Sequence, residues 1–445
     1  MNFKTDYKLE GFILDTKWEK LPENVKERMR GCLIDLMGAL IVGSRSEQFK
    51  AGLALADTLG AMGDIAVIGT DRRYSFMGAA TAMGHSSNAY DIDDGHNMTR
   101  AHPGTSFIGA ILASAYEENK SLKELFEALL VAYETTVRMG AAIMDYYKFA
   151  HSSGTFGAVG VVAGVGRLRG MSRERINNAL SVAEFNAPLV PGIRSVEYPS
   201  MNKDGVPFGV MTGALALLAT ECGFTGNKNL LESDEYRHYL DDLGEKYQVM
   251  DLYFKPYPCC RWAHPAIDAV TSLMRENGIA PSEISKITVK TFNRATLLSK
   301  IEPTTADEAQ YNIAYPVATA AVYGSFGIEH VFPDALRDPT VLAMMKKLDF
   351  VTDPALDARF PAERICRAEI ATADGRCFIS GECAPRGEAC ENIGIEWLAD
   401  KFRRIASAVM TGDGIESILS IILGDVNTPV RHLVDTVNKS EFWRA

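Results

Sequence analysis

Residues 25–43 read V-K-E-R-M-R-G-C-L-I-D-L-M-G-A-L-I-V-G, and this segment predicts the architecture of the chain. Apolar residues recur at helical spacing in its first half, and after Gly31 the segment is apolar on nearly every side. A helix that is apolar all round is buried among other elements. Pro22 lies three residues before Val25 and suits a helix start, where its missing N–H costs nothing. We therefore predict a central buried helix inside a helical domain.

Helical patterns continue on the C-terminal side of this segment. They cover residues of about 47–60, 74–90, 104–118, 121–145, 172–185 and 207–222. Ser121 is followed three positions later by Glu124, which is the pattern of a capping box. Ser172 suits the N-cap of a later helix. The first two-thirds of the chain is thus predicted to be helical.

The pattern changes near residue 276. Residues 284–292, I-S-K-I-T-V-K-T-F, alternate and are rich in β-branched side chains, which predicts a strand. Residues 365–382 predict a hairpin with Asp374-Gly375 at its turn. Helices are expected at about 306–324 and 338–347, and helical character returns after Asn392.

These patterns predict a mainly α fold with two domains. The larger, all-helical domain covers residues 1–275, and residues 396–445 return to it. The smaller α+β domain is inserted at residues 276–395. A chain of 445 residues is long enough for two domains, each with its own core.

Composition narrows the classes of function. The net charge is −11 and no block of Lys or Arg occurs, so we do not expect nucleic acid as a partner. No apolar run approaches the ~18 residues of a membrane span, and the N-terminus lacks a signal-peptide core. The eight cysteines form no CxxC pair and no zinc spacing. We therefore expect a cytoplasmic protein with reduced thiols and no membrane contact.

Residues 88–104, N-A-Y-D-I-D-D-G-H-N-M-T-R-A-H-P-G, are named the acidic loop here. Its ionisable residues are Asp91, Asp93, Asp94, His96, Arg100 and His102. Such crowding next to apolar helices shifts pKa values and is typical of acid–base sites. We expect Asp93 and Asp94 to order the loop by accepting backbone N–H bonds.

A metal site is the competing interpretation of the acidic loop. Asp91, Asp93 and Gly95 match the start of a calcium-binding loop, but its twelfth position is His102 where a glutamate is needed. Magnesium is not excluded by this spacing. We expect no metal and no other cofactor.

Four segments, in order along the chain, resemble the MmgE/PrpD family of 2-methylcitrate dehydratases, cis-aconitate decarboxylases and iminodisuccinate epimerases. They are D-I-D-D-G-H…H-P-G (91–104), H-S-S-G-T-F-G-A (151–158), M-N-K-D-G (201–205) with G-A-L-A-L-L-A-T-E-C-G-F-T-G (213–226), and K-P-Y-P-C-C-R-W-A-H-P-A-I-D-A (255–269). The general resemblance runs from about residue 20 to residue 405. It implies an all-α domain with a smaller α+β lid, a homodimer, and a cofactor-free site between the domains.

The resemblance implies catalytic roles for Asp91, His102, His264, Lys203 and His151. The pair His102 and His264 would act as base and acid on the two sides of the reacting carbon, with the assignment open. Lys203 would hold a substrate carboxylate or stabilise a developing enediolate. Plain alternatives stay open: Asp91 as a surface N-cap, the histidines as core or capping residues, and Lys203 as an exposed loop residue.

Substrate-binding roles are implied for Arg261, Lys255, Tyr315, Ser153 and Gly154. Arg261 suits a carboxylate because a guanidinium binds it with two parallel hydrogen bonds. The free N–H groups of the helix that starts near Ser153 and Gly154 would bind an anion. Tyr315 would bring a phenol from the lid, or be an ordinary half-buried aromatic. His96 has no certain family counterpart and stays a candidate by position.

The expected activity is that of a hydro-lyase on a small di- or tricarboxylic acid, by proton abstraction next to a carboxylate. An iminodisuccinate-type epimerase and a cis-aconitate-type decarboxylase are the alternatives, followed by an inactive ligand-binding protein. Gly95 and Asn88 replace a Thr and a His of many relatives, and K-D-G at 203–205 is a further departure. The expected substrate class includes 2-methylcitrate, and these differences also permit a different di- or tricarboxylate, or an epimerase.

Overall fold

Helices dominate the computed structural model of the chain, which describes residues 2–150 and 152–444. The chain is 57% helical with small sheets, which confirms the mainly α prediction. Within the described residues the α-helices, numbered α1 to α19 in chain order, are Lys8–Asp15, Glu23–Gly43, Glu47–Thr58, Phe76–Ser87, Ile108–Glu117, Leu122–Tyr147, Gly154–Leu168, Arg173–Asn186, Ile193–Glu197, Val206–Glu221, His264–Asn277, Asn293–Thr296, Ala306–Gln310, Ala314–Tyr323, Pro339–Met345, Pro354–Asp357, Ile395–Ala406, Gly412–Leu423 and Val430–Val437.

Helix α2 is the predicted central helix. All its residues from Gly31 to its end are buried. Helix α17 returns from the C-terminal part of the chain and packs against it. A Cβ at Gly31 would lie 2.5 Å from the Leu398 side chain, and a Cβ at Gly38 would lie 2.8 Å from that of Ile405. The two glycines therefore allow the close approach of α17.

Eight strands occur in the described residues, numbered β1 to β8: Met62–Ala66, Arg73–Tyr74, Asp94–His96, Leu252–Phe254, Ile284–Thr291, Leu348–Thr352, Cys366–Thr372 and Cys377–Ile379. The largest sheet has the order β6-β5-β7-β8, with β5 parallel to β6 and antiparallel to β7. The predicted strand and hairpin are confirmed as β5 and β7–β8, with Gly375 at φ 89° in the turn. Strand β6 was not predicted, because it is mostly solvent-exposed and lacks an apolar alternation.

The segment predicted as one helix at 306–324 is two helices. Tyr311 is the C-cap of α13, and α14 begins three residues later. The break occurs at Asn312, whose side-chain oxygen accepts the Tyr315 N–H at 2.8 Å and whose amide donates to the Ile301 carbonyl at 2.8 Å. These side-chain hydrogen bonds compete with the helical backbone pattern, so the helix ends at Tyr311 and a new one begins after Asn312.

Strands β3 and β4 form an antiparallel pair that ties the acidic loop to the segment before Lys255. Gly95 lies opposite Tyr253, and a Cβ at Gly95 would fall 2.2 Å from the phenol oxygen of Tyr253. The glycine is therefore required by the tyrosine ring that fills this space. Neither strand was predicted, because three residues carry too little pattern.

The four-stranded sheet lies inside the range 276–395, and α17 packs on the helical part of the chain. The division into a helical domain and a lid domain stays a prediction. Among the described residues, no helix combines the length and apolar character that crossing a bilayer requires.

Candidate active site

A cavity of about 290 Å³ lies where the acidic loop meets the segment before α10 and the segment after β4. This volume suits a small molecule. The polar side chains that line it are Asp91, Arg100, His102, Asp204, Tyr253, Cys260, Arg261, Arg294, Tyr311 and Arg364. Aromatic side chains, among them Trp262 and Phe360, complete the wall.

His102 is held on this wall by carboxylates on both sides of its ring. Its Nδ1 lies 3.0 Å from Asp93 Oδ2 and 3.2 Å from the Asp94 carbonyl oxygen. Its Nε2 lies 3.5 Å from Asp91 Oδ1 and 3.4 Å from Asp204 Oδ2. The ring orientation is therefore set by Nδ1, while Nε2 is the nitrogen presented at the cavity.

The carboxylates decide the charge of His102. Burial lowers the pKa of the imidazole, and the Lys255 ammonium lowers it further, but Asp93 and Asp91 outweigh both and raise it to about 10. Burial likewise raises the pKa of Asp93, but His102 and Lys255 hold it well below its usual range. His102 is therefore an imidazolium at neutral pH. In this state it donates a proton and does not accept one.

Asp91 is paired with a buried lysine. The Lys255 ammonium donates to Asp91 Oδ1 at 2.7 Å and lies 4.0 Å from Asp93 Oδ1. Burial lowers the pKa of Lys255, but these two carboxylates raise it above its ordinary value. Lys255 is 1% exposed and lies behind the cavity wall, so the predicted contact of its ammonium with substrate is wrong in this geometry. The Lys255 charge therefore influences the cavity indirectly, by pairing with Asp91, which lines it.

Backbone strain accompanies this arrangement. Asp91, Arg100 and Lys203 have φ of 51°, 51° and 47°, in the left-handed region that non-glycine residues rarely adopt. Such conformations persist where surrounding contacts hold them, and they concentrate at functional sites.

Carboxylate and histidine atoms of Asp91, Asp93 and His102 lie within 4.8 Å of one another, so their spacing is compatible with a metal ion. These carboxylates are already paired with two positive charges, however. The Lys255 ammonium lies 2.7 Å from Asp91 Oδ1, and the His102 imidazolium is the second charge. A cation entering here has to displace both the lysine and the histidine proton. The donor set therefore fits an ion-pair cluster better than a metal centre.

Asp94 behaves as predicted and Asp93 does not. Asp94 accepts the Gly104 N–H at 3.0 Å and the Tyr133 hydroxyl, and so orders the loop. Burial raises the pKa of Asp94 to about 7, with a further contribution from other nearby carboxylates. Asp93 instead accepts side-chain donors, Asn88 Nδ2 at 2.8 Å and Thr105 Oγ1 at 2.9 Å, besides His102. Asp93 therefore positions the His102 ring, and the hydrogen bond from Asn88 helps to hold the Asp93 carboxylate in place.

Lys203 lies beside the site with its charge already paired. Its ammonium is 3.1 Å from Asp307 Oδ1 and donates to Gln310, and its side chain has no exposed surface. The next residue, Asp204, faces the cavity with 17% of its side chain exposed. The K-D-G departure is visible in the sequence, but no role was predicted for this aspartate.

His264 is not at the cavity. It is completely buried, its Nε2 lies 3.0 Å from the Cys259 carbonyl oxygen, and its ring packs edge-on against Tyr257. Burial lowers its pKa well below the ordinary value, and Lys255 lowers it further. The expectation that His102 and His264 face the reacting carbon from two sides is therefore wrong, because the second histidine points into the core.

Arg261 lines the cavity, but its guanidinium is already engaged. It pairs with Glu388, donates to Asn97 Oδ1 at 2.8 Å, and lies over the Tyr253 ring at 3.6 Å. The predicted two-bond capture of a substrate carboxylate by Arg261 therefore requires displacement of Glu388.

Three other arginines line the cavity, and no role was predicted for any of them: Arg100, Arg294 and Arg364. In the described part of the chain, none of the three forms an ion pair with a carboxylate. Arg364 donates to Asn97 Oδ1 at 3.2 Å, and burial followed by repulsion from Arg261 lowers its pKa to about 10. Three cations that face a cavity and have no carboxylate partner in the described residues can hold the carboxylates of a substrate.

The helix start at Gly154 is closed to an anion. The Gly154 N–H donates to the Asp204 carbonyl at 2.8 Å, and the next two amides donate to the carbonyls of Ser152 and Ser153 at 3.1 Å each. The predicted use of these N–H groups for substrate is therefore wrong. Ser153 acts on the site in another way, because its hydroxyl accepts the His102 N–H at 2.9 Å. His151 lies outside the described residues.

Tyr315 and His96 lie away from the cavity. The Tyr315 hydroxyl donates to the His330 carbonyl at 2.7 Å, so its predicted role toward substrate is wrong. His96 is buried in β3, its Nδ1 accepts the Met98 N–H at 3.2 Å, and burial lowers its pKa to about 4. Two other phenols, Tyr253 and Tyr311, line the cavity, and the Tyr311 hydroxyl has no hydrogen-bond partner among the described residues.

The fold and the cavity define a mainly α protein with a buried acid–base cluster. The MmgE/PrpD N-terminal domain matches residues 8–240, and the MmgE/PrpD C-terminal domain matches residues 257–423. The chain belongs to the MmgE/PrpD family.

Similar proteins include a cis-aconitate decarboxylase-like protein, oryM, of Aspergillus oryzae. It is 24% identical over 452 residues, covering 93% of this chain and 92% of the relative. The cis-aconitate decarboxylase of Homo sapiens is 22% identical over 431 residues, covering 90% of this chain and 88% of the relative. That of Mus musculus is 22% identical over 443 residues, covering 93% and 88%.

Proposed function

We propose that this chain is a cofactor-independent lyase of the hydro-lyase type that acts on a small di- or tricarboxylic acid. One observation carries the proposal. A histidine held as an imidazolium by three carboxylates lies on the wall of a cavity that unpaired arginines also line. An acid of this kind, with cations that bind carboxylates, supports elimination next to a carboxylate group.

The charges around the cavity favour a polycarboxylate. Arg100, Arg294 and Arg364 contribute three positive charges without carboxylate partners in the described residues. Around His102, three carboxylates face two cations, which leaves one excess negative charge. The three arginines outweigh this charge, so the lining of the cavity is positive overall. In a cavity walled by aromatic rings, these cations would be strongly attracted to anions.

The reaction would begin with removal of a proton from the carbon next to a substrate carboxylate. The electrons of the broken C–H bond spread onto the carboxylate oxygens, where an arginine stabilises the charge. The electron pair then returns from the carboxylate to form the double bond, while the neighbouring hydroxyl leaves with its C–O electrons and takes the proton of His102 Nε2. The products are water and a carbon–carbon double bond.

Decarboxylation is the second candidate, because the similar proteins described above are named cis-aconitate decarboxylases or decarboxylase-like. In that reaction CO2 leaves, its C–C electrons stay on the substrate, and His102 protonates the resulting carbanion. Epimerisation has less support. A proton has to return to the opposite face of the carbon, and His264, the expected second group, points into the core.

The test is incubation with 2-methylcitrate, citrate, cis-aconitate and iminodisuccinate in deuterated water. We expect at least one hydroxy acid to lose water, seen as ultraviolet absorbance of the new double bond. Release of CO2 from cis-aconitate would instead support the decarboxylase. Deuterium at the α carbon without a new double bond would support the epimerase. Turnover that a chelator abolishes would contradict the cofactor-independent proposal.

We also propose a homodimer joined through the exposed face of α10. Apart from Thr212, the residues at helical spacing on this face are apolar, and Phe208 and Leu215 are 49% and 58% exposed. A contiguous apolar helix face of this kind is typical of an interface. We expect Leu215→Asp to halve the mass measured by light scattering. As the control, Leu59→Asp changes an exposed leucine on another helix end and should leave the mass unchanged. A wild-type monomer would contradict the proposal.

The proposed location is the cytoplasm. All eight cysteines are unpaired in the structure, and several are buried. Free thiols are typical of proteins in a reducing compartment.

A further inference from the structure

The cluster around His102 has one carboxylate too many for its cations. Asp91, Asp93 and Asp204 face two positive charges, those of His102 and Lys255. Asp93 accepts three side-chain donors, and Asp91 is paired with Lys255 at 2.7 Å. Asp204 shares His102 Nε2 with Asp91 and has no other cation within ion-pair distance among the described residues. The excess negative charge therefore falls on Asp204.

Asp204 is also the most accessible carboxylate of the three. Its side chain is 17% exposed, compared with 2% for Asp91 and 0% for Asp93. The ionisable groups that face it are His102, Asp91, Lys255, Tyr311 and Cys260. Burial raises its pKa, and Asp91 raises it further, while His102 and a hydrogen bond from Ser195 oppose this; the net direction is upward. A carboxylate shifted this way is a stronger base.

We propose that Asp204 is the catalytic base, with His102 as its acid partner. This inference rests on the proposed hydro-lyase function. The geometry that carries it is the direct pairing of Asp204 Oδ2 with His102 Nε2 at 3.4 Å on the cavity wall. Asp204 Oδ2 can accept the proton of the C–H bond while His102 Nε2 donates to the neighbouring hydroxyl of the same substrate molecule.

The protons and electrons balance within this pair. Asp204 Oδ2 takes the proton from the substrate carbon, and the C–H electrons form the new double bond. The C–O electrons leave with the hydroxyl, which takes the proton of His102 Nε2 and departs as water. The proton on Asp204 then passes to the neutral imidazole across 3.4 Å. Both groups regain their starting states without a co-reactant.

The first test is turnover by Asp204→Asn. We expect its kcat to fall about 100-fold, because the amide cannot accept the proton, while KM stays similar or falls. In the wild type, activity should decline as pH falls through the raised pKa of Asp204, and this acidic limb should disappear in Asp204→Asn. Asp204→Glu should recover part of kcat. Asp234→Asn, an exposed aspartate in an ion pair with Arg237, is the control and should match the wild type.

The second test does not depend on turnover. Tricarballylate has the carboxylates of a substrate but no hydroxyl to lose, so its binding can be followed by calorimetry in two buffers of different ionisation enthalpy. An added anion near Asp204 raises its affinity for a proton, so the wild type should take up protons on binding along the acidic limb, at pH values below those at which it turns over fully. We expect Asp204→Asn to bind at least as tightly and to take up none.

The outcomes separate the two proposals. A kcat within threefold of wild type in Asp204→Asn, or an unchanged proton uptake, would overturn the role of Asp204 and leave the lyase proposal intact. Failure of the wild type to dehydrate any of the hydroxy acids would overturn the hydro-lyase proposal and the base assignment with it.

Discussion

His102→Gln is expected to lower kcat by about 10⁴-fold, at the upper end of the range for loss of an acid–base group. The substitution removes the imidazolium proton that the surrounding carboxylates hold in place at neutral pH. It also leaves Asp91, Asp93 and Asp204 with the single positive charge of Lys255. The measurement is kcat at pH 7 on the substrate that the wild type dehydrates.

The pH dependence of the wild type gives a matching expectation. The pKa of His102 is raised from its ordinary 6.5 to about 10, so its proton is present at neutral pH and is lost as pH rises toward 10. Activity should therefore fall on the alkaline side near this value. The part of the folding stability that comes from its protonation is complete below about 6.5 and is lost as pH approaches 10.

His432→Gln is the matched control, because this histidine is exposed on α19 and outside the cavity. It should retain wild-type kcat. An alkaline limb that stays in place in His102→Gln, or a kcat reduced by less than tenfold, would show that another group supplies the proton.

Lys401→Met is expected to lower the free energy of unfolding by about 3–5 kcal/mol, because it leaves one partner of a buried ion pair unpaired. Lys401 on α17 pairs with Asp35 on α2, and their side chains are 1% and 0% exposed. Burial lowers the pKa of Lys401 and raises that of Asp35, so each charge is maintained chiefly by the other. The measurement is the thermal unfolding midpoint together with a urea titration.

The same lysine reaches the site. Its ammonium also donates to the Ile92 carbonyl at 2.5 Å, next to Asp91. Lys401→Met should therefore reduce kcat as well as stability, although Lys401 does not line the cavity.

Removal of both charges is the informative comparison. Because the cost of a buried ion pair lies in its desolvated charges, Lys401→Met combined with Asp35→Leu should recover most of the lost stability. If the double variant is no more stable than Lys401→Met alone, the loss comes from disturbed packing of α17 on α2 and the ion-pair explanation is wrong.

Elements with strong local patterns could be predicted from the sequence. The central helix follows from an apolar segment, the capping box at Ser121 from two residues, and strand β5 from alternation. These signals depend on neighbours within one or two turns, so they survive without knowledge of the fold. The short strands β3 and β4 exist only because the acidic loop meets a segment about 160 residues further along the chain.

The candidate site residues also divide into those that the local sequence predicts and those that depend on the tertiary structure. The acidic loop was found because its ionisable residues are adjacent in the sequence. Asp204 was not predicted because the Lys-Asp-Gly variant does not show, from the sequence, where the aspartate side chain points. Tyr311 was not predicted because the pattern indicates one continuous helix, whereas the structure breaks it at Asn312. His264 was given a role from its motif, although its ring turns into the core.

The sequence alone determined the mainly α fold, the family, and the loop that carries His102. These depend on hydrophobic period and on motifs, which are properties of short segments. The tertiary structure decided which ionisable groups share the cavity, that His102 is charged, and that Asp204 is the carboxylate left over. Those properties depend on distances of a few ångströms and on burial between residues far apart in the chain, because charge interactions strengthen steeply as water is excluded.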